Sequence, residues 1–390
     1  MKGELNMFII WGNARKDTNN ILEQMRKKFE IRDIYEIIWT SENFTKNLRR
    51  FYGANLPKPL RKTSECGIEP FLLVLLIDPN PKYEMRKTSN GMQSVNSNIY
   101  DEKMKYRKMF NSGSTIHSAI HQKEVNHDLT MLLSKNVEDT RVNLPEKWDG
   151  KFKPIRSDVV GTNGWKDLNE LFYVLNHTTN YVVLRNFEEY PEKINFKEHK
   201  DIDILTDDLL QLPYVLDQSK AIDNEIIVPS TVTIGNEKIL FDIKYVQGSY
   251  YDEKWSKDIL DRRILSSKGF YVPDTKDHFY SLLYHMIIHK AKLTNEYTQR
   301  LFNLAIVLEM KNIQKETFLN FDKLKKMLDN YMQEMNYTYT NSIQYKIKHN
   351  ELTRLYHVAV IIAKKEGVST LAKAIKRKLR RKIQTRSIND

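Results

Sequence analysis

Two aspartates one residue apart, Asp201 and Asp203, begin the stretch Asp201-Ile202-Asp203-Ile204-Leu205, and a third, Asp242, interrupts Ile239-Leu240-Phe241-Asp242-Ile243. Alternate side chains of a strand take opposite faces, so Ile202 and Ile204 claim a core face and the two carboxylates share the other. Like charges that close repel one another. A divalent cation relieves the repulsion, because it takes oxygen ligands and bridges to phosphate oxygens. Magnesium, or manganese, is the natural ion. Aspartate is depleted in strands, so three of them ask for a reason. The competing reading makes Asp201 and Asp203 solvent-face residues of an edge strand and Asp242 a turn cap.

These residues resemble the nucleotidyltransferase superfamily, whose polymerase-β-type sheets carry an h-D-x-D-h strand and a third carboxylate on a nearby strand. Asp201 and Asp203 match the pair, Asp242 matches the third acid in type and order, and the resemblance covers roughly residues 165–300. It implies that the three acids hold two metal ions, one activating an attacking oxygen and one supporting a leaving phosphate. The Gly-Ser pair that the family places before Asp-x-Asp is replaced here by Leu184-Arg185-Asn186-Phe187. Either Arg185 serves as the phosphate cradle or the chain is similar to a divergent branch. The acid-rich strand is most similar to that of fukutin-like sugar-phosphate transferases. The resemblance therefore implies transfer of a nucleotidyl or phospho-sugar group from a nucleotide or nucleotide-sugar donor to a phosphorylated or glycan acceptor.

Around this core, Lys200 precedes the acids, and Lys290 and Lys292 end an apolar stretch that holds His285 and His289 one helical turn apart. That spacing can clamp a metal, but no acid lies between them, and a core-facing or phosphate-facing pair is the favoured reading. Nearer the start, Lys103 and Arg107 share a helix face, and the Gly113-Ser114 loop before His117 could cup a phosphate with free backbone N–H groups. His117, His121 and Glu124 fall on one face of the helix expected to follow. No Walker pattern is present. Cys66 has no evident base beside it and receives no role. Arg107 and His117 are expected to line the same cleft as the aspartates.

The elements that must position these groups follow from periodicity. Strands are expected at residues 7–12, 35–39 and 71–77, helices at 21–29, 101–109 and 116–133, which makes an α/β domain of residues 1–140. Residues 141–164 hold Pro145, Gly150, Pro154, Gly161 and Gly164 with few apolar residues, a linker composition. A helix at 165–176, strands at 181–185, 201–205, 230–234 and 239–246, and a hairpin through Gly235-Asn236 predict a mixed sheet over residues 165–275. Residues 276–390 read as a helical domain. The fold class expected is thus α/β and α+β, in several domains.

The chain has 390 residues, 41% of them hydrophobic and 29% charged, enough to bury more than one core. Its longest apolar run, residues 71–77, is far shorter than the roughly 20 residues a membrane-spanning helix needs. The start lacks a cleavable apolar core, so no signal peptide is expected. The single cysteine leaves no internal disulfide. A cytoplasmic location is expected. The net charge of +12 favours anionic partners, nucleic acid being the less favoured, since no binding motif for it is present. Leu371, Ile375, Leu379 and Ile383 recur every fourth position among Lys and Arg. Such a helix can lie on an anionic membrane surface, which predicts peripheral attachment at the inner face, or its stripe can pack on the helical domain.

Overall fold

The computed structural model describes residues 2–56, 59–89, 91–111, 113–188, 190, 201–218, 230–311 and 314–340. Lys200 and the stripe from Leu371 to Ile383 lie outside the described residues. Among these, no helix is long and apolar enough to cross a membrane.

The first half is a mixed α/β layer. Its order is β1 (Glu4–Ile10), α1 (Thr18–Arg26), β2 (Glu30–Ile37), α2 (Phe44–Tyr52), α3 (Pro59–Cys66) and β3 (Phe71–Asp78). A hairpin follows, β4 (Tyr83–Thr88) and β5 (Gly91–Asn96), then α4 (Ser97–Met109), β6 (Ile116–Ser118), α5 (Gln122–Leu133) and α6 (Val137–Val142). A short β7 (Lys153–Ile155) closes a five-stranded sheet of order β6-β1-β3-β2-β7. All pairings are antiparallel except β2 with β7. The continuous apolar run of β3 is explained by its central place: Leu73, Leu75 and Ile77 enter one core, Leu72, Val74 and Leu76 the core on the other face.

Two expectations are corrected here. Residues 116–133 are not one helix. Ile116–Ser118 pair with β1, and α5 begins only after His121, whose imidazole accepts from Glu124 N at 3.1 Å as the N-cap. Residues 141–164, expected as a linker, are fastened down. β7 lies inside them, and Asp158 accepts bonds from Thr40, Asn43 and Asn47.

Next come α7 (Leu168–Thr178), β8 (Tyr181–Val183), β9 (Asp201–Thr206), α8 (Leu212–Val215), β10 (Ser230–Ile234) and β11 (Glu237–Tyr245), with sheet order β10-β11-β9-β8. The β10–β11 turn uses Gly235 at φ +58°, a left-handed conformation that glycine adopts without a Cβ clash. One apolar core runs from Leu5 and Leu73 through Leu129 and Phe172 to Ile202, Ile204, Phe241 and Ile243. The two sheets therefore share it. A third core gathers α9 (Glu253–Asp261), α10 (Thr275–Tyr284), α11 (Asn295–Val307) and α12 (Phe321–Glu334) around Trp255, Tyr284 and Tyr331. Helical packing thus starts at α9, earlier than residue 276.

Arg50 of α2 staples the two halves. It is 2% exposed. Its guanidinium donates to Val160 O, to Thr162 Oγ1 at 2.8 Å, to Val215 O at 2.6 Å and to Tyr214 O at 3.2 Å, and pairs with Asp217 at 3.8 Å. Burial lowers its pKa to about 10, opposed by Asp217. Replacing it leaves several carbonyls without donors and Asp217 with Lys46 alone, at 2.8 Å. The variant Arg50→Met is expected to lose about 3–5 kcal/mol, read as a fall in urea midpoint, with α8 and residues 159–165 losing amide exchange protection first.

Candidate active site

β9 and β11 run parallel and in register, Asp203 opposite Asp242 and Asp201 opposite Leu240. Partners across a ladder share a face, so the apolar alternation that sends Ile202, Ile204, Phe241 and Ile243 into the shared core turns Asp201, Asp203 and Asp242 to the face toward the helices. One carboxylate oxygen from each lies within 4.8 Å of the others. Asp203 is 3% exposed, while Asp201 and Asp242 are half-buried.

Three acids at that spacing are balanced by two cations. Arg185, just past β8, donates to Asp203 Oδ1 at 2.5 Å. Lys244, two residues after Asp242 and therefore on its face, contacts Asp242 Oδ2 and stands 3.7 Å from Asp203 Oδ1. Burial pushes the Asp203 carboxyl up from its ordinary range; Arg185 and Lys244 pull it down, and Asp242 and Asp201 add to the rise. Burial works against the Arg185 charge, yet Asp203 and the tyrosines around it hold the guanidinium well above its usual value. Its Nη1 is buried without a hydrogen-bond partner.

Behind the cations stands Tyr250, with Lys244 4.8 Å and Arg185 5.7 Å from its ring centre. The π turn His285–Lys290 presses on its far side. Tyr250 O–H and His285 Nδ1 are 2.6 Å apart, while His289 stacks on the ring at 4.1 Å and its Nε2 meets Tyr250 O at 3.0 Å. Each histidine thus turns one ring nitrogen to Tyr250, and their spacing packs that ring. Lys290 is exposed at the end of that turn, and its charge reaches both imidazoles.

Arg107 and His117 are not brought to the aspartates. They sit on α4 and β6 and, among the described residues, contact a different set of side chains. Lys244 was not singled out from the sequence, although its place two residues after Asp242 on a strand was the available signal. Arg300 and Tyr190 had none. Arg300 binds Asn186 Oδ1 and Glu188 Oε2, both at 2.6 Å, fastening the segment that carries Arg185. The buried Tyr190 hydroxyl is held up by burial, then by Asp203 and Asp201.

The pairing alters what neutralising an acid does. Repulsion alone predicts that Asp203→Asn leaves the melting temperature unchanged or higher. With Arg185 buried against Asp203, that change uncovers a buried cation, so Asp203→Asn is expected to cost about 3 kcal/mol and to lower the melting temperature. Asp201→Asn removes only repulsion and is expected to keep or raise it. Thermal melts of the two variants check the contrast.

A pH dependence follows from the helices behind the site. Burial holds His278 and His289 down at about 4, against an ordinary value of 6.5. The unfolded chain therefore binds these protons more readily, and the stability from two neutral imidazoles is full above about 6.5 and lost as pH falls toward about 4. His289→Gln is expected to flatten the fall in urea midpoint across that window.

Comparison with models of protein families, with curated proteins and with solved structures found no match for this chain.

Proposed function

We propose that Asp201, Asp203 and Asp242 form the centre of a metal-dependent nucleotidyl- or phospho-sugar transferase. The observation that carries the reading is the parallel register setting Asp203 beside Asp242 on a face where an apolar pair would otherwise serve. The donor set suits a hard divalent cation, since all three ligands are carboxylate oxygens within 4.8 Å of one another. Magnesium or manganese held there would supply charge to an attacking oxygen and a leaving phosphate. Lys244 lies against Asp242, so it must yield that oxygen to an ion and becomes available to a phosphate. Arg185 orients Asp203 and presents its unpaired Nη1 as a further anion contact. Lys290 adds positive charge at the rim.

The donor in this reading is a nucleotide or nucleotide-sugar, the acceptor a sugar, polyol or glycan of the cell surface. The enzyme works in the cytoplasm, docked on the inner membrane face by the apolar stripe of Leu371, Ile375, Leu379 and Ile383 and the Lys and Arg around it. A second reading rests on Lys244 and Arg185, which already balance two of three negative charges: a non-catalytic module with a structural acid cluster.

The two readings part in a thermal-shift panel of nucleotides and nucleotide-sugars with and without magnesium. The enzyme reading expects a donor that raises the melting point only with the ion, by mass action. With that donor, Asp201→Asn and Asp242→Asn are expected to cut transfer at least about a hundredfold. Stabilisation by no donor, or full transfer by either variant, supports the structural cluster instead. For the tail, truncation after Thr370 is expected to abolish salt-sensitive sedimentation with anionic vesicles.

A further inference from the structure

β6 is an edge strand, paired on one side only, and the carbonyls on either side of His117 are capped from α4. Arg107 Nε donates to Ile116 O at 2.8 Å and Lys103 Nζ to Ser118 O at 3.2 Å. His117 itself enters the face toward α2 and α5. Its Nε2 lies 2.9 Å from Asp128 Oδ2, and His127 Nδ1 lies 3.0 Å from the other oxygen of the same carboxylate. Phe51 and Tyr52 of α2 meet the His117 ring edge-on at 5.7 Å and 5.3 Å. A carboxylate that binds one imidazole nitrogen fixes the ring and its tautomer, which leaves Nδ1 of His117 as the nitrogen for a ligand.

Arg107 stands near that ring, and the acids beside it are already engaged. Arg107 spends Nε on Ile116 O and makes no other hydrogen bond to a described residue. Lys62 stands 5.5 Å from the Tyr52 ring centre and donates to Ser114 O at 2.6 Å. The buried Tyr52 hydroxyl, with the Trp11 indole beside it, donates to no acceptor among the described residues. Burial holds Lys62 and Arg107 below their ordinary values, and the Arg107 charge adds to the fall at Lys62. Of the nearby acids, Asp128 is shared by two histidines, Glu124 accepts from Ile120 N, and Glu65 is spent on Ser114 and Arg61. His117, Glu124 and Asp128 do bring ligand atoms within 4.8 Å of one another. A metal ion there would sit in the field of Lys103 and Arg107, with both Asp128 oxygens already engaged.

We propose that the first sheet carries a second ligand site, separate from the three aspartates, which takes a monoprotonated phosphate group that donates its P–O–H to His117 Nδ1 and accepts from Arg107, Lys62 and the Tyr52 hydroxyl. Such a phosphate matches the set because it offers several acceptor oxygens to two cations and a hydroxyl while its one proton meets the bare imidazole nitrogen. The site stands on its own geometry and does not depend on the transferase reading.

The test uses the full chain labelled with nitrogen-15 in histidine, titrated with inorganic pyrophosphate in excess chelator at constant ionic strength. One imidazole resonance, identified by its absence in His117→Asn, is expected to move saturably. Arg107 also holds the edge strand, so Lys62→Met, which keeps the histidine–aspartate pair, is the informative variant. It is expected to weaken binding about tenfold or more, the loss of one charge-assisted bond. Asp201→Asn is expected to leave it unchanged. No saturable movement, movement equally produced by chloride, undiminished binding in Lys62→Met, or loss of binding in Asp201→Asn would each overturn the proposal.

Discussion

Side-by-side carboxylates on adjacent parallel strands govern the second half of this molecule. Once β9 and β11 bury their apolar alternates in register, Asp203 must stand next to Asp242, and carboxylates so placed cannot both stay charged and dry without compensation. Arg185 and Lys244 provide it. Those cations in turn need a surface that tolerates them, and the Tyr250 ring is that surface. The π turn of His285 and His289 grips Tyr250 from behind, and Arg300 ties down the segment bearing Arg185. The helices thus brace a charge arrangement set by strand register.

The first sheet solves a different electrostatic problem. Asp128 is a single buried carboxyl, raised to about 6 by burial and pulled down by His117, and two neutral imidazoles satisfy it without a metal or a buried cation. Cations gather instead at the sheet edge, where the carbonyls of β6 would otherwise lack donors. The aspartate centre has more acid than bound cation, and the histidine centre has basic groups in search of an anion.

What joins the halves is continuous packing rather than a tether. The shared core passes beneath residues 159–165, and Arg50 answers backbone carbonyls both of that segment and of α8. Motion of the first sheet against the second would strip a buried guanidinium of its partners. The glycines of this segment therefore serve tight turns within the interface: Gly161 and Gly164 both take left-handed φ values, +73° and +95°.

The sequence by itself determined the strands and the facing of their side chains, because a period of two is a local property: β3, β9 and β11 and the hairpin at Gly235 were legible, as was the convergence of Asp201 and Asp203. It missed β6 and β7, whose three residues show no apolar run, and the β4–β5 hairpin, whose largely exposed residues show no apolar alternation. It read Gly- and Pro-rich residues 141–164 as a linker because their bonds to Thr40, Asn47 and Arg50 join residues more than a hundred positions apart. Only the tertiary structure decided that β9 pairs with β11 in parallel, that Lys244 and Arg185 occupy the acids, that His285 and His289 belong to Tyr250, and that His117 belongs to Asp128. Each of those outcomes is a choice of partner, and a buried charge takes whichever partner the packing of distant elements brings within reach.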